Sequence, residues 1–321
     1  MLILLTGGSC GMPSIAQSRK PFYSREVSAT LDNDIIFFED YYYTAGQDFI
    51  YRRLLRPTSK AYQLFKTRAA ADSSKITVEY HYGFKIFTPF DIHDTAAKDM
   101  DRPYAGWNFG SVTFSNFPSM HGNNQYQVEM GVVGPMSGME GLQKWLHRIT
   151  HYDQPKGWEY QLPNEVVMNA SYTRVQNWRL LEEIDIVSQS TVQAGTGSNR
   201  VSQEFTLRLA QFNDIGNSVF TNSRLSWDTR KKGLERPFEF FFFGGLGINY
   251  VLSNIFIEGS LFPGNKSPVP AHIQPWVFQN KYGLMYSKHD ISWSITLYHL
   301  SNDMIAGASH AYANFAVAVR F

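Results

Sequence analysis

Apolar and polar residues alternate along most of the chain, and this period of two constrains the fold more than any other feature. Segment 76–87 puts large apolar side chains on one face and polar residues or glycine on the other: Val78, Tyr80, Tyr82, Phe84 and Ile86 against Glu79, His81, Gly83 and Lys85. The same alternation recurs at 204–209, 291–298 and 311–321. Because successive side chains of a β-strand point to opposite faces, the pattern predicts an all-β protein.

Full charges stand in the middle of several predicted strands, always on the polar face: Glu79, Lys85, Glu204, Arg208 and Arg320. A hydrated barrel lumen tolerates such charges. Aromatic residues make up 15 % of the chain, yet no internal run approaches the ~18 apolar residues that a spanning helix needs. The last residue, Phe321, matches the ending that is typical of bacterial outer-membrane proteins. These features favour a transmembrane β-barrel, whereas the alternation alone also fits a soluble sandwich or a lipocalin-like barrel.

The alternating segments predict an antiparallel barrel of about 12 strands: 26–38, 44–56, 75–88, 104–116, 124–134, 165–179, 182–196, 200–213, 236–251, 275–288, 290–300 and 310–321. Segment 254–263 would be a thirteenth strand, but single-chain bacterial barrels favour even counts, so we assign it to a loop. The long polar connections are predicted to lie on the outer side of the membrane: 57–74, 89–103, 214–235 and 252–273.

Residues 1–17 are predicted to be a signal peptide, with an apolar stretch at Leu2–Leu5 and small residues before the cleavage site. Residues 18–321 then form a single outer-membrane barrel domain. Cys10 is the only cysteine, so no intrachain disulfide can form. The 29 basic and 28 acidic residues give no electrostatic reason to expect nucleic acid as a partner.

One segment departs from the β pattern. In 138–150 the apolar residues recur at helical spacing, which predicts a short amphipathic helix between strands 5 and 6. Gln143 and His147 are four residues apart and therefore project from the same side of that helix. Asp153 follows in the next loop.

These polar residues suit ester hydrolysis. A neutral histidine ring can take a proton from water, so His147 is a candidate base, and the Asp153 carboxylate could hold its second ring nitrogen. Asn33 and Asp34 stand at the start of the carboxylate-rich bend within segment 31–46, where oxygen donors suit a hard cation that polarises a carbonyl. Thr44 is placed to order a ligand or water.

Simpler interpretations remain open for the same residues. Segment 31–46 also reads as a hairpin turn rich in Asp and Asn, and His147 as an interfacial histidine on a plug helix. The sequence contains no G-x-S-x-G, H-E-x-x-H, phosphate-loop or dinucleotide motif, although a lumenal serine nucleophile stays possible.

Several short motifs occur in order over residues 26–165, and together they resemble the outer-membrane lipid A 3′-O-deacylase family. The matching pieces are Asn33-Asp34, Tyr43-Thr44-Ala45-Gly46, Thr88-Pro89, Asp101 to Trp107, Gly134-Pro135, Gln143 with His147-Arg148-Ile149, and Pro155 with Gly157-Trp158 and Gln161-Leu162.

The resemblance implies a twelve-stranded outer-membrane barrel with its site near the outer rim. It implies calcium-dependent hydrolysis of the ester that holds the 3′-linked acyloxyacyl group of lipid A. The family's functional residues fall on Asn33 and Asp34, Thr44, His147 as the base, and Gln143. A family Glu six residues after the histidine is replaced by Asp153, which reaches one methylene less far.

Two other functions stay open at this point. A phospholipase or another lipid esterase would use the same cation and histidine, since no residue singled out here recognises a sugar. A non-catalytic barrel, acting as a pore or a structural protein, would need none of these residues together. The Asp101–Tyr104 segment is either a structural rim turn with an internal ion pair or a substrate contact. The sequence predicts no oligomeric state.

Overall fold

The computed structural model describes residues 23–37, 40–66, 75–226 and 238–321. Within them, twelve antiparallel strands close into a barrel, in which sequence neighbours pair and β1 pairs with β12. The strands are β1 (Arg25–Asn33), β2 (Tyr42–Leu54), β3 (Lys75–Thr88), β4 (Ala105–Ser119), β5 (Gly122–Val133), β6 (Glu165–Leu181), β7 (Ile184–Gly195), β8 (Ser198–Gln211), β9 (Phe238–Asn254), β10 (Trp276–Lys288), β11 (Ile291–Leu300) and β12 (His310–Arg320).

The predicted fold class is confirmed, because each predicted strand overlaps an observed one. The helices are α1 (Lys60–Phe65), α2 (Met139–Thr150) and α3 (Ile255–Glu258). α2 is the helix predicted between strands 5 and 6, and α3 replaces the rejected thirteenth strand. In the described ranges, no helix has the length and apolarity needed to cross a membrane. The predicted leader, residues 1–17, lies outside the described residues.

The two faces of the wall separate as the alternation predicts. Large apolar side chains such as Tyr82, Met168 and Phe205 are exposed on the outside. Four of the five charged residues predicted for the polar face form ion pairs with other lumenal side chains: Glu79 with Arg52, Glu204 with Lys281, Arg208 with Asp185, and Arg320 with Glu26. These ion pairs stabilise the charges inside the barrel. On the lipid-facing side of the wall the same charges would be destabilising.

The prediction that all long connections lie on the outer side is wrong for two of them. Successive strands run in opposite directions, so connections that follow even-numbered strands share the barrel end at which β1 begins and β12 ends. Segments 57–74 and 214–235 follow β2 and β8, and their described parts, 57–66 and 214–226, belong to that end, which we call the terminal end; the rest of both segments lies outside the described residues. Segments 89–103 and 252–273 belong to the opposite end, the rim end.

Residues 212–226 fill the lumen at the terminal end. The Glu239 carboxylate, on the inner face of β9, accepts hydrogen bonds from the backbone N–H groups of Asn213 and Val219. Arg208 is fully buried, and it binds Ser218 and the Asp185 carboxylate. The backbone of this segment also accepts hydrogen bonds from Lys75, which stands on β3. The segment is thus tied to several strands around the barrel.

Candidate active site

α2 lies over the rim end against β3 and β4. It begins after Gly138, which has φ 76°, and packs against the wall at Gly106, the second residue of β4. A Cβ atom at position 106 would stand 2.4 Å from the Met139 Cβ, so glycine permits the close approach of the helix. Close to this contact, Trp158 packs against Tyr104, with ring centroids 4.7 Å apart.

Gln143 and His147 project from one side of α2, as predicted, and the structure shows that both are buried. The Trp158 indole N–H donates to the Gln143 Oε1 atom at 2.9 Å, which fixes the orientation of the amide. The Gln143 Nε2 atom is then left buried, with no hydrogen-bond partner in the part of the chain that the structure describes. An unsatisfied buried donor costs free energy unless a ligand accepts from it. This amide is therefore a candidate donor to a substrate oxygen.

His147 is held by a backbone carbonyl. Its Nδ1 atom lies 2.6 Å from the Asp153 carbonyl oxygen, and a carbonyl can only accept a hydrogen bond. Nδ1 therefore carries the hydrogen, and Nε2 is the nitrogen that can take a proton from water. The ring is 8 % exposed, so its orientation is set by the protein.

The predicted role of the Asp153 carboxylate is not what the geometry gives. α2 is capped at its C-terminus by His151, whose φ of 60° turns the chain so that the carbonyl of Asp153 meets His147. The Asp153 side chain is 83 % exposed and lies 3.4 Å from the His93 Nε2 atom. The contact between residues 147 and 153 was predicted correctly, but the atom of residue 153 that makes it was not.

Asp40 is the carboxylate that faces His147, and the sequence analysis missed it. Its Oδ2 atom lies 3.6 Å from the His147 Nε2 atom, and its Oδ1 atom is buried with no hydrogen-bond partner among the described residues. Burial raises the pKa of Asp40, while His147, His93 and a hydrogen bond with Thr44 act in the opposite direction. In the sequence, the one signal that could have pointed to Asp40 is its position within segment 31–46, which contains other predicted site residues.

Asn33, Asp34 and Thr44 meet where β1 and β2 reach the rim end. The Asn33 Nδ2 atom donates to the Thr44 carbonyl oxygen at 3.5 Å. Asp34 is 3 % exposed and its Oδ2 atom accepts the Tyr41 N–H at 3.2 Å. Thr44 also contacts Thr88 through a 2.9 Å hydroxyl–hydroxyl hydrogen bond. Thr44 thus links the β1 end to Asp40 and, through it, to His147.

The chemistry of these donors fits a hard cation. Within residues 23–37, 40–66, 75–226 and 238–321, no group of three or more His, Cys, Asp or Glu side chains forms a metal site. Calcium, however, also takes amide, hydroxyl and backbone carbonyl oxygens and water. Asn33, Asp34 and Thr44 provide such oxygen donors at one place, and Asp34 is a buried carboxylate among them.

Asp101 and Arg102 form hydrogen bonds with neighbouring segments of the rim end. Asp101 accepts hydrogen bonds from the Tyr42 hydroxyl at 2.7 Å and from the Phe90 N–H at 3.0 Å. Arg102 is buried and donates to the Phe256 carbonyl at 3.0 Å. The two residues join the loops of the rim end, and neither bond forms the internal ion pair considered for this turn.

The comparisons with known proteins agree with this architecture. The family model described as outer membrane protein LpxR matches residues 1–321. The chain belongs to the LpxR family. LpxR from Salmonella typhimurium is similar in structure, with a TM-score of 0.70 and 15 % identity, over 92 % of this chain and 100 % of that one.

A second solved structure, the β domain of the Bordetella autotransporter BrkA, has a TM-score of 0.45 and 8 % identity, over 92 % of this chain and 98 % of that one. None of the curated proteins matches the sequence. Membership of the LpxR family places the chain in the bacterial outer membrane and supports a lipid A-related enzyme.

Proposed function

We propose that the chain is a lipid A 3′-O-deacylase, a hydrolase that releases the 3′-linked acyloxyacyl group as a free acid. The observation that carries the proposal is the arrangement around His147. Its Nδ1–H is held by the Asp153 carbonyl, which leaves Nε2 as a base beside the Asp40 carboxylate. This pair stands at the same rim end as Asn33 and Thr44, in a protein of the LpxR family.

In the proposed reaction, His147 acts as the general base. Its Nε2 atom takes a proton from water, and the water oxygen attacks the carbonyl carbon of the ester. Asp40 stabilises the imidazolium that forms, and the Asp153 carbonyl keeps the ring in place. The Gln143 Nε2–H₂ group donates to the oxyanion. His147 then returns the proton to the departing sugar oxygen, so that the products are a carboxylic acid and a 3′-hydroxyl group.

The proposal includes calcium. Asp34 would hold the ion, together with oxygen atoms of Asn33 and Thr44, because this donor set is made of hard oxygen ligands. Held by these residues, a calcium ion would polarise the ester carbonyl and offset the negative charge of the oxyanion. The proton transfer itself depends on His147 and Asp40.

A pore is a weaker interpretation of the barrel. Residues 212–226 occupy the lumen at the terminal end and are held there by buried charged groups. A hydrolase needs no passage through the barrel, so a filled lumen is compatible with the proposed reaction. A phospholipase or other lipid esterase would use the same residues and is distinguished by its substrate.

Mass spectrometry of lipid A tests the proposal. Purified protein is incubated with lipid A, with calcium or with a chelator, and phospholipid is tested in parallel. We expect loss of the 3′ acyloxyacyl mass with calcium, and a 10²–10⁴-fold lower rate for His147→Asn. His151→Asn is the matched control, because His151 is exposed at the end of the same helix and asparagine tolerates its positive φ.

The outcomes separate the three functions. Cleavage of phospholipid with lipid A unchanged would establish the esterase alternative. A folded barrel that changes neither lipid would leave the family scaffold without this activity. Full activity in the presence of chelator would remove calcium from the proposal while leaving the base in place.

A further inference from the structure

The barrel wall is lowest where β11, β12 and β1 meet. These strands have 10, 11 and 9 residues, whereas β6 and β9 have 17 residues each. At ~3.3 Å per residue and a tilt of ~40°, β1 rises about 23 Å and β6 about 43 Å. The apolar band of a membrane barrel is about 25 Å tall. The rim end of β1 therefore stands near the edge of the hydrocarbon layer.

An apolar groove of about 390 Å³ crosses the outer surface of this low wall. Ala29 lies between larger side chains, and the lining residues include Leu31, Trp293, Phe315 and Val317. In the sheet register, Leu31 pairs with Phe315 and Ala29 with Val317. The groove volume is within the range of small-molecule sites.

The groove faces lipid and not the lumen. The residues that alternate with its lining make hydrogen bonds inside the barrel: Thr30 donates to the Asp48 carboxylate at 2.9 Å, and Asn314 to the Asp32 carboxylate at 2.5 Å. Leu31 is 48 % exposed on the opposite side of the strand. Only hydrocarbon or another apolar group fits such a surface within a membrane.

The groove leads to the proposed active site. Asn33 follows Ala29 and Leu31 at intervals of two residues, so it stands on the same face of β1. The 3-10 turn Ile35–Phe37 lies against β12, where Ala313, the register partner of Asn33, is fully buried. This turn follows Asp34 and stands on the rim side of the groove, beyond its lining residues.

We infer that this groove holds one acyl chain of the lipid substrate while its ester lies at Asn33 and His147. The inference rests on the proposed function and names the wall on which the substrate docks. The occupant is an acyl chain because the groove is apolar, faces the membrane and ends at a site built for ester hydrolysis. Since lipid tails are as apolar as the groove, binding comes from packing and positioning rather than from dehydration.

Filling the groove tests this inference. Ala29→Phe places a ring in the groove, and Ala170→Phe is the matched control, because Ala170 is exposed on β6 between lipid-facing residues. We expect kcat/KM for lipid A to fall about tenfold in Ala29→Phe, as for the loss of roughly ten carbon contacts. The control keeps wild-type kcat/KM, and folding of both variants is checked by circular dichroism.

Fluorescence provides a measurement that does not depend on catalysis. Trp293 lines the groove. The fluorescence of this one residue is obtained by subtracting the emission of Trp293→Phe from that of the wild type. The protein is placed in phospholipid vesicles that contain a small fraction of lipid A with brominated acyl chains. We expect Trp293 to be quenched more than in vesicles with the same fraction of brominated phospholipid, and this excess disappears in Ala29→Phe.

Each outcome decides between the two proposals. If Ala29→Phe and Ala170→Phe have equal kcat/KM and brominated lipid A gives no excess quenching, the groove does not hold an acyl chain of the substrate. The proposed deacylase activity is not affected by that result. A wild type that cleaves no lipid A but shows the excess quenching overturns the proposed function and retains a lipid A groove. Equal quenching by the two brominated lipids also overturns the inference, because the groove would then hold only bulk lipid.

Discussion

Replacing Asp40 with asparagine removes the charge opposite His147 and keeps the shape of the side chain. The Asp40 Oδ2 atom is 3.6 Å from the His147 Nε2 atom, and both side chains are largely buried. In the proposed reaction, positive charge develops on the ring as it takes the proton from water. Asp40→Asn should therefore lower kcat for lipid A hydrolysis without abolishing substrate binding.

The size of this effect follows from the distance. Two full charges 3.6 Å apart interact by about 4.6 kcal/mol at an effective dielectric constant of about 20. With about half of the proton transferred in the transition state, roughly 2 kcal/mol is lost. That corresponds to a kcat lower by about 30-fold.

The same substitution should raise stability at neutral pH. Burial raises the pKa of Asp40, so the folded chain binds a proton at this carboxyl at a higher pH than the unfolded chain does. At a pH above the pKa values of both the folded and the unfolded chain, the ionised Asp40 carboxylate lowers the free energy of unfolding. This destabilisation disappears as the pH falls through the raised pKa of the folded chain. Asp40→Asn should thus have a higher Tm than the wild type at pH 7, and the difference should vanish toward pH ~4.

The assay combines initial rates on lipid A between pH 5 and pH 9 with thermal unfolding of the detergent-solubilised barrel. Asp99→Asn is the control, because it removes a charge from an exposed position on the neighbouring loop. An unchanged kcat in Asp40→Asn would refute the electrostatic role of Asp40. A Tm below that of the wild type at pH 7 would refute the argument from burial.

Three further substitutions follow from the geometry. Arg208→Met leaves the fully buried Asp185 carboxylate without its partner and should cost about 3–5 kcal/mol, measured as a lower Tm with unchanged activity at room temperature. Gly157→Ala should lower kcat/KM for lipid A about tenfold, because Gly157 has a φ of 80° and the new Cβ would stand 2.7 Å from the Asp94 backbone oxygen. Gly141→Ala is the control and should keep the wild-type kcat/KM, because a Cβ at position 141 meets open space. Thr44→Val should lower kcat about tenfold in the same assay, since its hydroxyl makes two hydrogen bonds.

The barrel and α2 were predictable because their signals are local. Alternation with period two and helical spacing each depend on a few neighbouring residues, and they located the strands and the helix that bears Gln143 and His147. The end of the barrel at which each loop lies follows from strand parity alone. The incorrect assignment of 57–74 and 214–235 came from reading loop length instead of strand direction.

The partners of His147 were not predictable in the same way. Asp40 reaches the ring because Tyr42 has a φ of 63° at the start of β2, and the Asp153 carbonyl because His151 has a φ of 60°. Non-glycine residues adopt positive φ only when surrounding packing holds them there. Such packing involves three separate loops, so the contacts depend on long-range structure that spacing along the chain does not encode.

The filled terminal end has a consequence for the membrane as a whole. Because residues 212–226 lie in the lumen and are anchored by Glu239 and Lys75, we expect the barrel to add little conductance to the membrane. Its abundance is then not limited by leakage of small solutes across the permeability barrier. A cell can vary the dose of such an enzyme over a wide range and change its surface chemistry while staying sealed.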